Sequence, residues 1–150
     1  MAKHTADRSD IAGFGPGLLL LLAASRWRAS ADVSLRDAGV SGIQSMILVA
    51  AQVLHAESGA ANQVNIARFI GLDVMTMSKN VRSLEKNGLV ERGVSSKDSR
   101  ARTVELTKLG SARLKKLVKG LEGVDEKAFD EIGGMQKLRK SLTAYVEGSR

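Results

Sequence analysis

The chain has 150 residues, 43% of them hydrophobic, which is enough for one domain with a substantial core. It contains no cysteine, and this excludes disulfides, zinc–thiolate sites and thiol-based oxidant sensing while fitting a cytoplasmic protein. Its formal net charge of +7 favours an acidic partner, of which nucleic acid is the commonest and an anionic membrane surface is the alternative.

The N-terminal segment predicts an arm followed by an apolar helix. Residues 1–15 are polar and then glycine-rich without periodicity, so we expect a flexible arm there. Pro16 suits the first turn of a helix that continues from Leu18 to about Asp32 and is apolar nearly all round in its first half. Such a helix favours a subunit interface, with a central core helix as the alternative. Its continuous apolar run, Leu18 to Ala24, is too short for a membrane span of about 20 residues.

Two shorter helices and a glycine turn come next. Residues 35–42 hold turn residues, and Ser41 can cap a second helix that runs to about His55. Asn62 can cap a short third helix, Val64 to Ile70, after which a glycine breaks the chain. A short helix, a glycine-bearing turn and a longer helix follow the order of a helix-turn-helix.

The fourth helix has two chemically different faces. Asp73 can cap it, although Thr76 stands where a capping box needs Glu or Gln, and Asn87-Gly88 can end it. At about 100° per residue, one face is apolar and suited to burial: Val74, Met77, Val81 and Leu84. The opposite face carries Met75, Lys79, Arg82 and Lys86, flanked by Thr76, Ser78 and Ser83.

A charged hairpin follows that helix. Leu89 to Val94 has strand-like residues, and Arg102 to Leu106 alternates polar and apolar after a turn-rich run. The predicted tip carries Lys97, Asp98 and Arg100. From Met75 to Arg102, seven cationic side chains oppose three anionic ones. A cationic helix beside a cationic tip suits a duplex, with the helix in the major groove and the tip at the backbone or the minor groove.

The C-terminal residues, 108–150, return to helix. A fifth helix has a basic face that suits plain solvation, made of Arg113, Lys115, Lys116 and Lys119. Its end is weakened by Gly120 and Gly123, and Asp125 can cap another helix. A Gly133-Gly134 break precedes further apolar residues at helical spacing: Met135, Leu138, Leu142, Tyr145 and Val146. We expect these to pack with the leucine-rich first helix in a dimerisation region.

Four short motifs occur in one order along the chain. They are Gly39-Val40-Ser41-x-x-Gln44, Leu84-Glu85-x-x-Gly88-Leu89-Val90-x-Arg92, Asp98-x-Arg100 and Val104-x-Leu106-Thr107-x-x-Gly110. Together they resemble the MarR family of transcriptional regulators, and the resemblance extends over roughly residues 15–146. It implies a homodimer whose recognition helices read a pseudo-palindrome in double-stranded DNA, often released by a small ligand.

The expected fold is therefore mainly α with a small β-hairpin wing. A winged helix-turn-helix DNA-binding domain occupies residues 41–107. Residues 16–40 and 108–150, from both chain ends, form a helical dimerisation region after the arm at 1–15.

The expected DNA-contacting residues lie in the fourth helix and the wing. The groove-facing set is Thr76, Ser78, Lys79 and Arg82; either cation can bond guanine, while the hydroxyls suit phosphates. The resemblance implies Arg100 in the minor groove, Asp98 orienting it, and Lys97 on the backbone, where Arg92 is a further candidate. The alternative for Asp98 and Arg100 is a local salt bridge that only shapes the turn.

The resemblance also implies a ligand pocket lined by the first, second and fifth helices. The candidate ligand-binding residues are Arg26, Trp27, Met46 and His55, although Trp27 also suits plain packing and His55 a helix C-terminus. With one tryptophan, one tyrosine and three phenylalanines, the chain does not favour a phenol-binding cage. No catalytic constellation, metal site or cofactor motif occurs, so we expect no enzyme activity.

Two other functions are compatible with parts of the sequence. A winged-helix module that binds protein is one, and the cationic outer face of the fourth helix argues against it. Peripheral membrane binding through the basic fifth helix is the other, and it leaves the hairpin unexplained. A cytoplasmic DNA-binding regulator, expected to be a repressor, is the favoured interpretation.

Overall fold

The structure is a computed structural model that describes residues 11–94, 101–130 and 134–148. After a short 3-10 turn at Ile11–Gly13, its elements are α1 Pro16–Ala38, α2 Gly42–Ser58, α3 Gln63–Ile70, α4 Val74–Lys86, β1 Val90–Val94, β2 Arg102–Leu106, α5 Lys108–Phe129 and α6 Met135–Gly148. Helices with one antiparallel hairpin confirm the expected fold class. Most of the predicted arm lies outside the described residues.

The first helix is longer than predicted. A turn was expected from residue 35 onward, but α1 continues to Ala38 because Leu35 and Ala38 are both buried in the core. The helix ends at Gly39, whose φ of 70° is left-handed and whose N–H donates to the Arg36 carbonyl at 2.9 Å. The capping box of Ser41 then begins α2.

The fifth helix also passes through its expected end. α5 continues without a break through Gly120, Gly123 and Asp125, so the prediction that a new helix begins at Asp125 is wrong. Contact with α1 offsets the weak helix propensity of the glycines. The Ser34 hydroxyl donates to the Gly120 carbonyl at 2.9 Å, and Leu121 packs against the core.

The core joins α2, α3, α4 and the hairpin. Its largest fully buried side chains are Ile47, Leu48, Ile66, Met77, Val81, Leu84, Val90 and Val104. The two strands pair from Val90 opposite Leu106 to Val94 opposite Arg102. A third extended segment extends this ladder, because the Val104 N–H donates to the Ala61 carbonyl at 2.8 Å. These residues belong to one core that also includes Leu35 and Ala38 of α1 and Leu114 and Leu117 of α5. The elements α2, α3, α4 and the hairpin are called the reading head below.

The first half of α1 and the whole of α6 are poorly covered. Leu18, Leu20, Leu21 and Leu22 are 43–66% exposed, so this half of α1 is not a core helix of the single chain. No residue of α6 is buried. Among the described helices, none is by itself long and apolar enough to cross a membrane; α1 and α2 pass that test only together, bent by 73°.

The Leu-Thr-x-x-Gly motif joins the hairpin, α4 and α5. The Thr107 oxygen Oγ1 accepts the Gly110 N–H at 2.9 Å and so caps α5. The same hydroxyl donates to the Gly88 carbonyl at 2.6 Å, and the Thr107 N–H donates to the Leu89 carbonyl at 3.1 Å. A Cβ on Gly110 would lie 1.9 Å from that Leu89 oxygen. Glycine is thus required for α5 to begin this close to the turn that ends α4.

Gly110→Ala should lower the free energy of unfolding by at least about 2 kcal/mol, because backbone has to move to admit the methyl group. Gly123→Ala is the matched control: a Cβ added there would have no atom within 4 Å, and alanine should raise helix stability by about 0.5–1 kcal/mol. Urea unfolding followed by circular dichroism measures both. Equal effects of the two substitutions would contradict the close approach at Gly110.

Candidate nucleic-acid interface

Helix α4 buries one face and exposes the other. Met77, Val81 and Leu84 have no exposed surface. Val74 is 65% exposed, so the prediction that it shares this buried face is wrong. Val74 occupies the first turn at the edge of the apolar stripe, and the core covers the stripe only from Met77 onward. The buried residues fix which side of α4 faces solvent.

The solvent side carries the predicted cations. Lys79, Arg82 and Lys86 are exposed and form no salt bridge with any residue in the described ranges. Thr76 and Ser78 flank them and are half-buried. Met75 is 84% exposed, more than any other large apolar side chain among the described residues. The structure therefore presents Lys79 and Arg82 more fully than the two hydroxyls.

The start of α4 is held by Asp73. Its carboxylate accepts the Thr76 N–H at 2.8 Å, which confirms the predicted N-cap of this helix. A hydrogen bond from the Thr76 hydroxyl, followed by the one from the Thr76 N–H, lowers the pKa of Asp73 below its ordinary value. Thr76, whose hydroxyl was expected to suit a phosphate, therefore also belongs to the cap of α4.

The end of α4 is connected to the wing. Gly88, with a φ of 68°, donates its N–H to the Glu85 carbonyl, and Leu89 donates to the Leu84 carbonyl, both at 2.9 Å, which completes a Schellman motif. The Glu85 carboxylate accepts from Arg92 Nε at 2.8 Å and lies 2.6 Å from its terminal nitrogen. This pair lowers the pKa of Glu85 and raises that of Arg92.

Of the four wing residues predicted to contact DNA, the structure describes Arg92. Arg92, a candidate for the DNA backbone, is paired with Glu85 and its side chain is 34% exposed. Lys97, Asp98 and Arg100 lie outside the described residues, so their roles remain predictions.

Of the four ligand candidates, Trp27 lines a cavity that does not include the other three. A cavity of about 400 Å³ between α1, α5 and α6 includes Trp27, whose Nε1 donates to the Asp125 carboxylate at 2.7 Å. Arg26, Met46 and His55 are exposed and do not line it.

A second cavity, of about 570 Å³, lies between α2 and α5. It is lined by Val49, Gln52, Val53, Leu114, Lys115, Val118, Lys119 and Glu122. Sequence reasoning assigned Lys115 and Lys119 to a solvated basic face and missed this cavity. Helical spacing alone does not show which neighbouring helix lies beside such a face. Within the described ranges, no group of three or more His, Asp or Glu side chains is placed to hold a metal ion.

Sequence reasoning also missed a contact of Gln44. Gln44 was noted as part of a motif, and the spacing Ser-x-x-Gln is the signature of the capping box observed here. Its amide also donates to the Ser83 hydroxyl of α4 at 3.1 Å. Only the first of these two contacts has a signal in the local sequence.

The helix pair, the hairpin and the exposed cations define a winged helix-turn-helix protein. A model of the MarR family matches residues 54–101. The uncharacterized HTH-type transcriptional regulator YdcH of Bacillus subtilis (strain 168) is 26% identical over 132 residues, covering 83% of this chain and 90% of YdcH. These matches confirm the resemblance to the MarR family of transcriptional regulators that the motifs indicated.

Solved structures share the fold. A MarR-family transcriptional regulator from Rhodococcus sp. RHA1 superimposes with a TM-score of 0.75 at 22% identity, over 87% of this chain and 91% of that one. The transcriptional regulator MosR of M. tuberculosis, in a complex with DNA, has a TM-score of 0.70 at 22% identity, over 91% of this chain and 96% of that one.

Asp73→Asn should reduce stability at neutral pH but not in acid. A lowered carboxyl pKa contributes stability that is present above the unfolded pKa of about 4 and is lost as pH falls through the folded pKa. Asparagine keeps a capping oxygen but does not titrate. The melting temperatures of the wild type and the variant, measured from pH 7 to pH 3, should therefore converge in acid.

Glu126→Gln, which removes one exposed carboxylate from α5, serves as the control for loss of charge. A gap between wild type and Asp73→Asn that stays constant over this pH range would contradict the role of the charged cap.

Proposed function

We propose that the chain is a sequence-specific double-stranded DNA-binding repressor that acts as a homodimer on a pseudo-palindromic operator. The observation that carries this proposal is the exposure of Lys79 and Arg82 on a helix whose opposite face is completely buried from Met77 onward. Because the buried face cannot turn outward without exposing the core, the cations have a fixed direction. The DNA complex of MosR, which shares the fold, supports the same use here.

The dimensions of α4 suit the major groove. Its 13 residues make a rod about 20 Å long, and the major groove of about 12 Å admits one helix. Arg82 or Lys79 would bond guanine O6 and N7, and Met75, so exposed in the free protein, would contact a thymine methyl group. Ser78 would hold a phosphate at the groove edge.

The wing would contact the adjacent backbone and minor groove. By resemblance, Arg100 enters the minor groove with Asp98 beside it, and Lys97 holds the backbone. Arg92 would contact a phosphate by exchanging its Glu85 partner, since a half-exposed ion pair is worth little and is readily replaced.

Exposed apolar surface supports the homodimer. The leucines at the start of α1 and the apolar residues of α6, with Tyr145 67% and Val146 44% exposed, would remain in water in a single chain. Their burial against a second copy is favourable at roughly 25 cal/mol per Å². Two copies would place their recognition helices about one DNA turn, ~34–36 Å, apart.

The cavity between α2 and α5 supports release by a small effector. It lies where the reading head meets the helical dimerisation region, and Lys115 and Lys119 beside an apolar lining suit an anionic molecule with an apolar body. A ligand that fits only one arrangement of the reading head relative to the helical dimerisation region would change the distance between the recognition helices. DNA binding would then weaken.

Lys79→Ala combined with Arg82→Ala should raise the dissociation constant for a selected duplex about 10- to 100-fold, since specific base contacts are lost. The duplex is one that the wild-type protein enriches from a random library, and binding is measured by fluorescence anisotropy. Lys127→Ala combined with Lys140→Ala removes the same charge from exposed positions of α5 and α6 that do not line the effector cavity, and is the matched control.

The control should weaken binding much less than the α4 variant does. Equal losses of affinity in both double variants would mean that binding depends on net charge and not on specific contacts of α4. Tight binding of the α4 variant to the selected duplex would contradict the role of α4 in DNA binding. Failure of the wild-type protein to enrich any duplex would favour the protein-interaction module instead.

A further inference from the structure

The side chain of Gln44 makes hydrogen bonds at both ends of its amide. Oε1 accepts the Ser41 N–H at 2.9 Å, and Nε2 donates to the Ser83 hydroxyl at 3.1 Å. Because the Ser41 N–H requires an acceptor, the amide oxygen faces α2 and the amide nitrogen faces α4. Gln44 thus connects the first turn of α2 to the recognition helix, 39 residues away in the sequence.

Ser83 lies where it can control the rotation of α4. It follows Arg82 directly and lies about one turn beyond Lys79. The inner face of α4 is held by apolar contacts, which have no preferred direction and permit a small roll about the helix axis. A hydrogen bond has a preferred direction and a distance range of only a few tenths of an ångström.

A small rotation of α4 about its axis would displace the side chains that contact DNA by a distance that matters for base reading. A rotation of about 10° moves a point on the helix surface, roughly 6 Å from the axis, by about 1 Å. That displacement exceeds the distance range of the hydrogen bonds that read base edges. The other polar contacts of α4 described above lie at its two ends, at Asp73 and at Glu85. The hydrogen bond from Gln44 comes from α2 and so constrains α4 from a different side.

We propose that Gln44 is a positioning residue that sets, through Ser83, the rotation of α4 and thereby the sequence specificity of DNA binding. The inference rests on the DNA reading by α4 proposed above. Ser41 follows directly on the turn that ends α1, so the same amide also connects the recognition helix to the C-terminal end of α1.

The test compares two dissociation constants for each variant of the full chain. One is for a duplex enriched from a random library by the wild-type protein, and the other is for an unselected duplex of equal length. Their ratio should fall about three- to tenfold in Gln44→Ala and in Ser83→Ala, as expected for loss of one hydrogen bond. The double variant should lose no more than the worse single variant, since both substitutions remove the same contact.

Ser41→Ala is the matched control. It removes the hydroxyl half of the α2 capping box, in which Ser41 Oγ accepts the Gln44 N–H at 3.2 Å, and it leaves the Gln44–Ser83 bond in place. Ser41→Ala should lower the melting temperature and leave the ratio of the two dissociation constants unchanged. A merely structural role of Gln44 predicts instead that Ser41→Ala and Gln44→Ala change this ratio alike.

Three results would overturn the inference. They are an unchanged ratio in Ser83→Ala, additive losses in the double variant, which would mean that Ser83 acts on DNA independently, and an equal loss of the ratio in Ser41→Ala. If the wild-type protein enriches no sequence from the library, the DNA-binding proposal fails first and the inference fails with it.

Discussion

The burial of one face of α4 is the constraint on which the reading head depends. Met77, Val81 and Leu84 have no exposed surface, and burying each aliphatic side chain of this kind is worth roughly 1.5–3 kcal/mol. Turning α4 would expose all three together. The helical period then places Lys79 and Arg82 outward, so packing in the core determines the direction of the charges at the surface.

The connection between the reading head and α5 is built from backbone contacts. The Leu89 carbonyl accepts the Thr107 N–H, and its approach to Gly110 leaves no room for a side chain. From this connection α5 runs back along α1, where Lys116 donates to the Asp37 carbonyl at 3.0 Å near the C-terminus of α1. A movement of α5 would therefore reach the end of α4 through these contacts, as the proposed release by a ligand between α2 and α5 requires.

Local patterns in the sequence predicted the helix-turn-helix, the cap at Asp73, the glycine that ends α4 and both strands of the wing. Period and capping chemistry act over a few residues, so a single sequence contains them. The same patterns were wrong where tertiary packing decides the outcome. Burial of Leu35 extends α1, contact with Ser34 carries α5 through Gly120, and the edge of the core leaves Val74 exposed.

Contacts between distant residues were beyond local patterns. The spacing of Ser41 and Gln44 marks a cap, but nothing near them indicates Ser83, 39 residues further along. Likewise, Lys115 and Lys119 form a basic stripe in the sequence, and only the position of α2 turns that stripe into one wall of a cavity. The cations of α4 could be predicted because amphipathicity specifies a direction, whereas a ligand site needs several elements placed at once.

The central claim is that two copies of the chain each place α4 in a major groove. Hydroxyl-radical and dimethyl sulfate footprinting of the wild-type protein on an enriched duplex tests it most directly. Two protected major-groove segments whose centres are about 10–10.5 base pairs apart, on the same side of the duplex, are the predicted result. One protected segment alone, or protection confined to the minor groove, would contradict it.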